Sequence, residues 1–251
     1  MSSLISIITP SFNSSEWIEK TYKSLLNQTY SNWQWLITDD CSSDNTLSLL
    51  YDLAENDVRI KVFKSEFNSG AAVSRNNSLA NATGDFIAFI DSDDLWLPQK
   101  LERQLAVMEE NNIAFSFTAY EVIDAQGNPI GQKVDTHLTG AVSYEDMLHK
   151  KVTLGCSTVM LRSSAFDDIS MPLIRTGQDY ALWLKILKTG VKAYSIPVVL
   201  TQYRILPNSI SRNKFKKAKR QWEIYRNIEM LPLFKSIKCF CFYAWRAVFR
   251  K

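Results

Sequence analysis

The 251-residue chain has no CxxC pair, no glycine-rich dinucleotide fingerprint and no apolar run of membrane-spanning length. Each absence removes a class of function. The four cysteines, Cys41, Cys156, Cys239 and Cys241, make no zinc-like spacing with His137 or His149, so neither a zinc knuckle nor a disulfide framework is expected. A reduced, cytosolic setting is the natural reading. The first strand ends without GxGxxG, which argues against NAD or FAD held in the Rossmann manner. The apolar stretch at residues 4–8 lacks a basic flank and a signal core and ends at Thr9-Pro10, so it reads as a strand. The most apolar late segment, residues 239–249, is too short to span a bilayer and contains Arg246. No internal repeat and no low-complexity segment occurs.

The composition itself is ordinary for a globular protein: 46% apolar and 22% charged. This length suits one large core or two fused lobes. The net charge of +3 hides a split. Residues 212–251 hold twelve of the 29 Lys and Arg and two of the 26 acids, leaving 17 basic and 24 acidic groups on residues 1–211. The body is acidic and the tail strongly basic, which suggests a polyanionic partner for the tail.

Strand and helix signals alternate over the first hundred residues. Residues 5–9, 33–38, 60–63 and 86–90 read as strands. Between them, a helical stripe of Ile18, Tyr22 and Leu25, one of Leu47, Leu50 and Ala54, and a helix over 70–81 are predicted. Asn13 with Glu16 three residues on resembles a capping box, and Asp44 suits the start of the second helix. The order implies a largely parallel sheet with right-handed crossovers, whose ligands bind at strand carboxyl ends. Thr9, Asp39, Asp40 and Asp91 fall there. Beyond Pro98 the sequence predicts a helix with Leu101, Leu105 and Met108 inward, a strand over 115–123, a turn at 124–129, a helix over 179–189 and shorter strands at 159–161 and 191–196. The polar, poorly patterned residues 131–142 read as a mobile loop.

Asp91-Ser92-Asp93-Asp94 directly follows the apolar run at 86–90. In an extended chain Asp91 and Asp93 share a face. Converging carboxylates repel unless a cation lies between them, and hard oxygen ligands suit Mg²⁺ or Mn²⁺ carried with a pyrophosphate. The same residues also suit a helix start, with Asp93 or Asp94 as cap. Asp39 or Asp40 offers an acceptor for a uracil N–H or a ribose hydroxyl. Asp-rich turns are also common caps. Gly70 permits close backbone approach at a helix start, and Arg75 is placed to reach a phosphate.

In order, Thr9-Pro10-Ser11-Phe12-Asn13, then Asp39 to Asp44, then Asn68 to Asn76, then Asp91 to Asp94 with Leu95-Trp96, resemble the motif series of family 2 glycosyltransferases. The resemblance extends over residues 4–205. Later, Gly177-Gln178-Asp179 before Trp183 resembles the family's second acidic motif, with Gln178 in place of the usual Glu. The QxxRW signature of processive members is absent, which favours transfer of one sugar per encounter.

The resemblance implies an α/β GT-A fold and an inverting transfer from a UDP-sugar. It implies Asp179 as general base and Asp93, with Asp91, as ligands of Mn²⁺ or Mg²⁺. The nucleotide-sugar set it implies is Thr9, Pro10, Phe12, Asp39, Asp40, Gly70, Arg75, Asp91 and Ser92. Among relatives the chain most resembles bacterial enzymes of O-antigen or teichuronic-acid type. These imply a saccharide on a polyprenyl diphosphate carrier as acceptor, at the inner face of the cell membrane. Expected boundaries are 1–97 for the nucleotide-sugar half, 98–211 for the acceptor half and 212–251 for a basic helical tail. Interleaved aromatics in the tail suit an anionic membrane surface. Nucleic acid and a packed structural helix are the other readings, and nucleic acid is not expected as a partner. A non-catalytic binding protein of the same fold, and a DxD phosphohydrolase, are the rival functions. The phosphohydrolase would place its acids after the first strand rather than the fourth.

Overall fold

The computed structural model describes residues 2–206 and 214–249. β1 (Ile5–Ser11), β2 (Trp33–Asp39), β3 (Ile60–Lys64) and β4 (Phe86–Phe89) form a parallel half-sheet in the order β3-β2-β1-β4. α1 (Ile18–Leu26), α2 (Thr46–Asn56) and α3 (Ala71–Ala80) make the crossovers. The alternation of β1 is consistent with a strand buried on both faces: Ile5 and Ile7 enter one core, Ile8 the other.

The second half departs from the parallel expectation. After the short β5 (Leu95–Trp96) and α4 (Lys100–Glu110), β6 (Phe115–Ile123) is joined to β4 by the antiparallel β9 (Val159–Arg162). β10 (Ala193–Arg204) then runs parallel to β6. It is twice the length of the strand expected at 191–196 because it continues through a register shift past Ile196. The polar stretch expected as a mobile loop instead forms β7 (Pro129–Val134), antiparallel to β6, and β8 (Gly140–Val142), antiparallel to β10. β7 is almost wholly exposed, so no apolar alternation marks it in the sequence.

α5 (Tyr144–Leu148) and α6 (Gln178–Leu187) lie over the Phe89, Phe115 and Phe117 face, where Trp183 is fully buried. The expected capping box at Asn13 is not formed. α1 begins after Trp17 without a side-chain cap, and Asn13, at φ 47°, instead accepts the Ser43 N–H at 2.8 Å. Asp44 does meet its helix, accepting the Thr46 N–H at 3.0 Å.

Two helices close the chain: α7 (Lys214–Glu223), followed by a π-helical turn (Ile224–Ile228), and α8 (Leu233–Phe249). The boundary expected at 211/212 lies outside the described residues. The segment packs onto the body. Ile224 and Tyr225 are buried, and the Tyr225 hydroxyl donates to the Leu148 carbonyl at 2.6 Å. Gly177, at φ 74° directly before α6, is one of the body's contact points. A Cβ there would lie 3.1 Å from Ile224 Cδ1 and 3.2 Å from Arg220 Cδ. The packed-helix reading therefore holds for this part of the tail.

Candidate active site

A cleft of about 230 Å³ opens at the carboxyl ends of β1 and β4. Pro10, Ser11, Phe12, Asp40, Ala71, Arg75, Asp91, Ser92 and Asp93 line it. The sequence-predicted segments after β1, β2 and β4 and the start of α3 thus converge on one opening.

Three of the expected nucleotide-sugar residues, Thr9, Asp39 and Gly70, do not line it. Thr9 is fully buried, and its hydroxyl accepts the Trp35 indole N–H at 2.8 Å. Asp39 is also buried, and its carboxylate accepts the Ser42 N–H at 3.0 Å and the Ser42 hydroxyl. Strand register aims both inward, so their work is to shape the loops that carry Pro10, Phe12 and Asp40.

Asp40 holds the start of α3. Its carboxylate accepts the N–H groups of Ser69 at 2.8 Å and Gly70 at 2.7 Å. Gly70 adopts φ 94°, a conformation in which a side chain is strained. One turn on, Arg75 is almost completely buried and pairs through Nη2 with Asp91. Burial opposes the Arg75 charge, but Asp91 together with Cys156 and Asp179 outweighs it and raises its pKa above the ordinary value. Arg75 Nε has no hydrogen-bond partner.

The acidic segment is a turn and not a strand continuation: the Asp94 N–H donates to the Asp91 carbonyl at 3.1 Å. Asp91 and Asp93 line the cleft, while Asp94 turns inward and is 1% exposed. The acids that converge on the cleft are therefore two, Asp91 and Asp93. Asp94 accepts from the Ser157 hydroxyl at 2.5 Å and the Arg204 N–H at 2.9 Å. Burial, then the Asp93 and Asp91 charges, raises its pKa far above the usual carboxylate range. Burial first and Asp91 second raise Asp93 to about 6. Among the described residues no cluster of three or more His, Cys, Asp or Glu is arranged to hold a metal ion. A cation that arrives with a pyrophosphate needs only one or two protein carboxylates. The Asp91–Asp93 pair, both members lining the cleft, fits such an ion.

Three supporting residues gave no signal in the sequence. Ser157 donates to Asp94 and accepts the Asp91 N–H at 3.1 Å. Arg204 Nε donates to the Asp93 carbonyl at 2.7 Å. Thr21 Oγ1 donates to the Ser92 and Asp94 carbonyls at 3.0 and 2.9 Å. Together they fix the turn from α1, β10 and the segment before β9.

Asp179 stands in the first turn of α6, half-buried, and does not line the cleft. It lies close enough for its charge to act on Arg75 and Cys156. Gln178 beside it is turned inward, with Oε1 lacking a partner.

The chain matches the model described as Glycosyl transferase family 2 over residues 6–169. It is 45% identical over 245 residues to the putative teichuronic acid biosynthesis glycosyltransferase TuaG of Bacillus subtilis, covering 98% of this chain and 96% of that one. It is 40% identical over 231 residues to an Escherichia coli protein named UDP-Glc:alpha-D-GlcNAc-diphosphoundecaprenol beta-1,3-glucosyltransferase WfgD, covering 92% of this chain and 88% of that one. Among solved structures, the mannosyltransferase PcManGT of Pyrobaculum calidifontis, in complex with GDP-Man and Mn²⁺, superposes with a TM-score of 0.72 at 14% identity, over 99% of this chain and 71% of that one.

Proposed function

The chain belongs to glycosyl transferase family 2, and from that premise we propose that it transfers a hexose, with inversion, from a UDP-sugar to a saccharide on a polyprenyl diphosphate. The observation that carries this reading is the Arg75–Asp91 pair on the wall of the cleft, with Asp179 within electrostatic reach of the same arginine.

The chemistry is a displacement at the anomeric carbon. The acceptor oxygen forms the new glycosidic bond as the bond to the β-phosphate oxygen breaks. The acceptor proton passes to the Asp179 carboxylate, and the nucleotide diphosphate leaves. Pro10, Phe12 and Asp40 bound the end of the cleft suited to the base. Arg75 supplies a fixed positive charge beside the departing phosphates, and Asp91 orients Arg75 and faces the ribose. Preorganised charge in a site of this kind acts without having to reorient during reaction. Asp93, with Asp91, would hold Mn²⁺ or Mg²⁺, which when bound neutralises charge on the pyrophosphate.

A membrane-borne acceptor calls for a membrane-facing surface. No helix among the described residues is long and apolar enough to cross a bilayer. α8 instead buries Ser236 and Cys239 and leaves Leu233, Phe234, Ile237, Cys241 and Trp245 exposed. These lie on one face at helical spacing, with Lys238 among them and Arg246 on the flank. An apolar face edged by basic side chains suits the anionic inner surface of the cell membrane.

Incubation with UDP-glucose and GlcNAc-diphosphoundecaprenol, with other UDP-sugars and lipid acceptors in parallel, tests the proposal. UDP should appear only when both donor and acceptor are present. UDP release that is independent of every acceptor would defeat it.

A further inference from the structure

The loop over residues 171–177 leads into α6 and ends two residues before Asp179. Met171 belongs to the core and Ile174 packs against it, while Leu173 is 73% exposed. Two polar clamps add to this apolar hold. Asn76 takes both backbone groups of one residue. Its Nδ2 donates to the Met171 carbonyl at 2.9 Å, and the Met171 N–H donates to its Oδ1 at 2.7 Å. Further along, Arg175 Nη2 donates to Asn68 Oδ1 at 2.7 Å. The Arg175 guanidinium lies directly over Gly70, where an added Cβ would meet Nη1 at 2.9 Å.

Both clamps end on the segment that builds the cleft. Asn76 follows Arg75, and Asn68 precedes the Ser69 and Gly70 N–H groups that Asp40 holds. Arg75 also approaches this loop, with Nη1 3.9 Å from Met171 Sδ. The wall of the donor cleft and the carrier of Asp179 therefore share one set of anchors.

We propose that Asn76 and Arg175 are positioning residues that register Asp179 against the donor cleft, so that occupancy of the cleft by a nucleoside diphosphate tightens the loop that presents the base. The proposal rests on the reading of the cleft and of Asp179 given above. A ligand that stiffens the Gly70–Arg75 edge removes states in which the loop swings away, which is a population shift. The side-chain amide suits this task because it has one donor group and one acceptor to match a peptide N–H and C=O. A displacement of about 1 Å at a reacting group can cost about a hundredfold in rate.

Amide hydrogen exchange of the intact chain tests the clamp directly. In the free protein, Asn76→Ala should speed exchange over residues 171–177 and leave β1 and β4 unchanged. Adding UDP should slow exchange over 171–177 in the wild type and not in Asn76→Ala or Arg175→Ala. Unchanged exchange over 171–177 in free Asn76→Ala overturns the clamp whether or not UDP binds. A calorimetric blank with UDP in the wild type overturns the donor reading instead.

Kinetics supply the second arm. Asn76→Ala should lower kcat by roughly tenfold to a hundredfold with donor KM near wild type. Asn76→Asp, which keeps the acceptor, should recover part of the loss. In an Asp179→Asn background the same Asn76→Ala change should cost little, since residues acting as a unit are not additive. Full additivity, or joint loss of UDP affinity and melting temperature in Asn76→Ala, would show a merely structural role and sink the proposal.

Discussion

The Asp94 carboxylate accepts the backbone N–H of Arg204 at 2.9 Å, while Arg204 Nε donates to the carbonyl of Asp93 at 2.7 Å. Two adjacent acids thereby receive opposite tasks. Asp94 anchors the turn to the end of β10, and Asp93 is left facing the cleft. Asp93→Ala should keep the melting temperature near wild type and lose most turnover, and excess EDTA should abolish activity. Asp94→Ala should instead unfold the turn. It leaves the Ser157 hydroxyl and Arg204 N–H buried without their acceptor, at about 1–3 kcal/mol each. Thermal melts and turnover of both variants, with and without Mn²⁺ or Mg²⁺, separate the roles. Full activity in EDTA would remove the metal from the account.

Asp179→Asn keeps the size of the side chain and removes its capacity to accept a proton. Turnover should fall by about 10²–10⁴-fold, with UDP affinity retained because Asp179 does not line the cleft. Rapid-mix assays of sugar transfer beside calorimetry of UDP binding make the comparison. A kcat near wild type would mean that another group takes the proton.

In the proposed reading Asp40 borders the base end of the cleft, where a carboxylate can accept the uracil N3–H that cytosine lacks. UDP should bind more tightly than CDP or GDP. Asp40→Ala should narrow that preference. It should also lower affinity for all three, because the variant frees the Ser69 and Gly70 N–H groups that Asp40 holds. The informative quantity is the ratio between nucleotides, measured by calorimetry. Equal affinities in the wild type would contradict the assignment.

The residues that a sequence reading places correctly are those whose task is set locally. β1 to β4 announce themselves by apolar runs ending in Pro, Asp and Ser, and Pro10, Phe12, Asp40, Arg75, Asp91 and Asp93 all reach the cleft. Thr9 and Asp39 differ because direction at a strand end is a tertiary matter. The pairing of Thr9 with Ile37 in the sheet sets it beneath Trp35. Ser157 and Arg204 lie 63 and 110 positions from Asp94, and no local pattern links them to it. β7 carries no apolar face, so nothing in its sequence distinguishes an exposed edge strand from a loop.

Lys100 is fully buried beneath the Trp96 ring, 3.8 Å from its centroid, and its Nζ has no hydrogen-bond partner. Burial lowers its pKa well below the ordinary lysine value. The unfolded chain therefore binds more protons than the folded one between the folded-state and unfolded-state pKa values. Stability accordingly rises with pH across that window. Lys100→Met should raise the melting temperature at pH 7 by roughly 2–4 °C, the shift that about 1 kcal/mol gives a chain of this size. The advantage should shrink as pH approaches 10. A gain independent of pH would show that packing, not charge, is the cause.

Part of the tail packs on the body, so deletion alone does not test the proposed membrane contact. Arg220 and Ile224 pack on Gly177, two residues before Asp179. Removing residues 212–251 should therefore lower the melting temperature and damage transfer to every acceptor, short or long. Surface substitutions on α8 are the cleaner probe. Phe234 is 87% exposed and Ile237 46% exposed, so Phe234→Ser with Ile237→Ser should leave the melting temperature within a degree or two, since exposed changes are usually worth less than about 0.5 kcal/mol. The double variant should lose binding to vesicles rich in anionic lipid and lose transfer to a long lipid-linked acceptor. It should keep transfer to a short soluble one. Binding by the wild type should weaken with salt, because each basic residue near the surface contributes about 1 kcal/mol of screened attraction. Co-sedimentation at low and high salt reads this directly. If the wild type ignores anionic vesicles at low salt, or if the double variant binds them as well as the wild type does, the outward face of α8 is not the membrane contact.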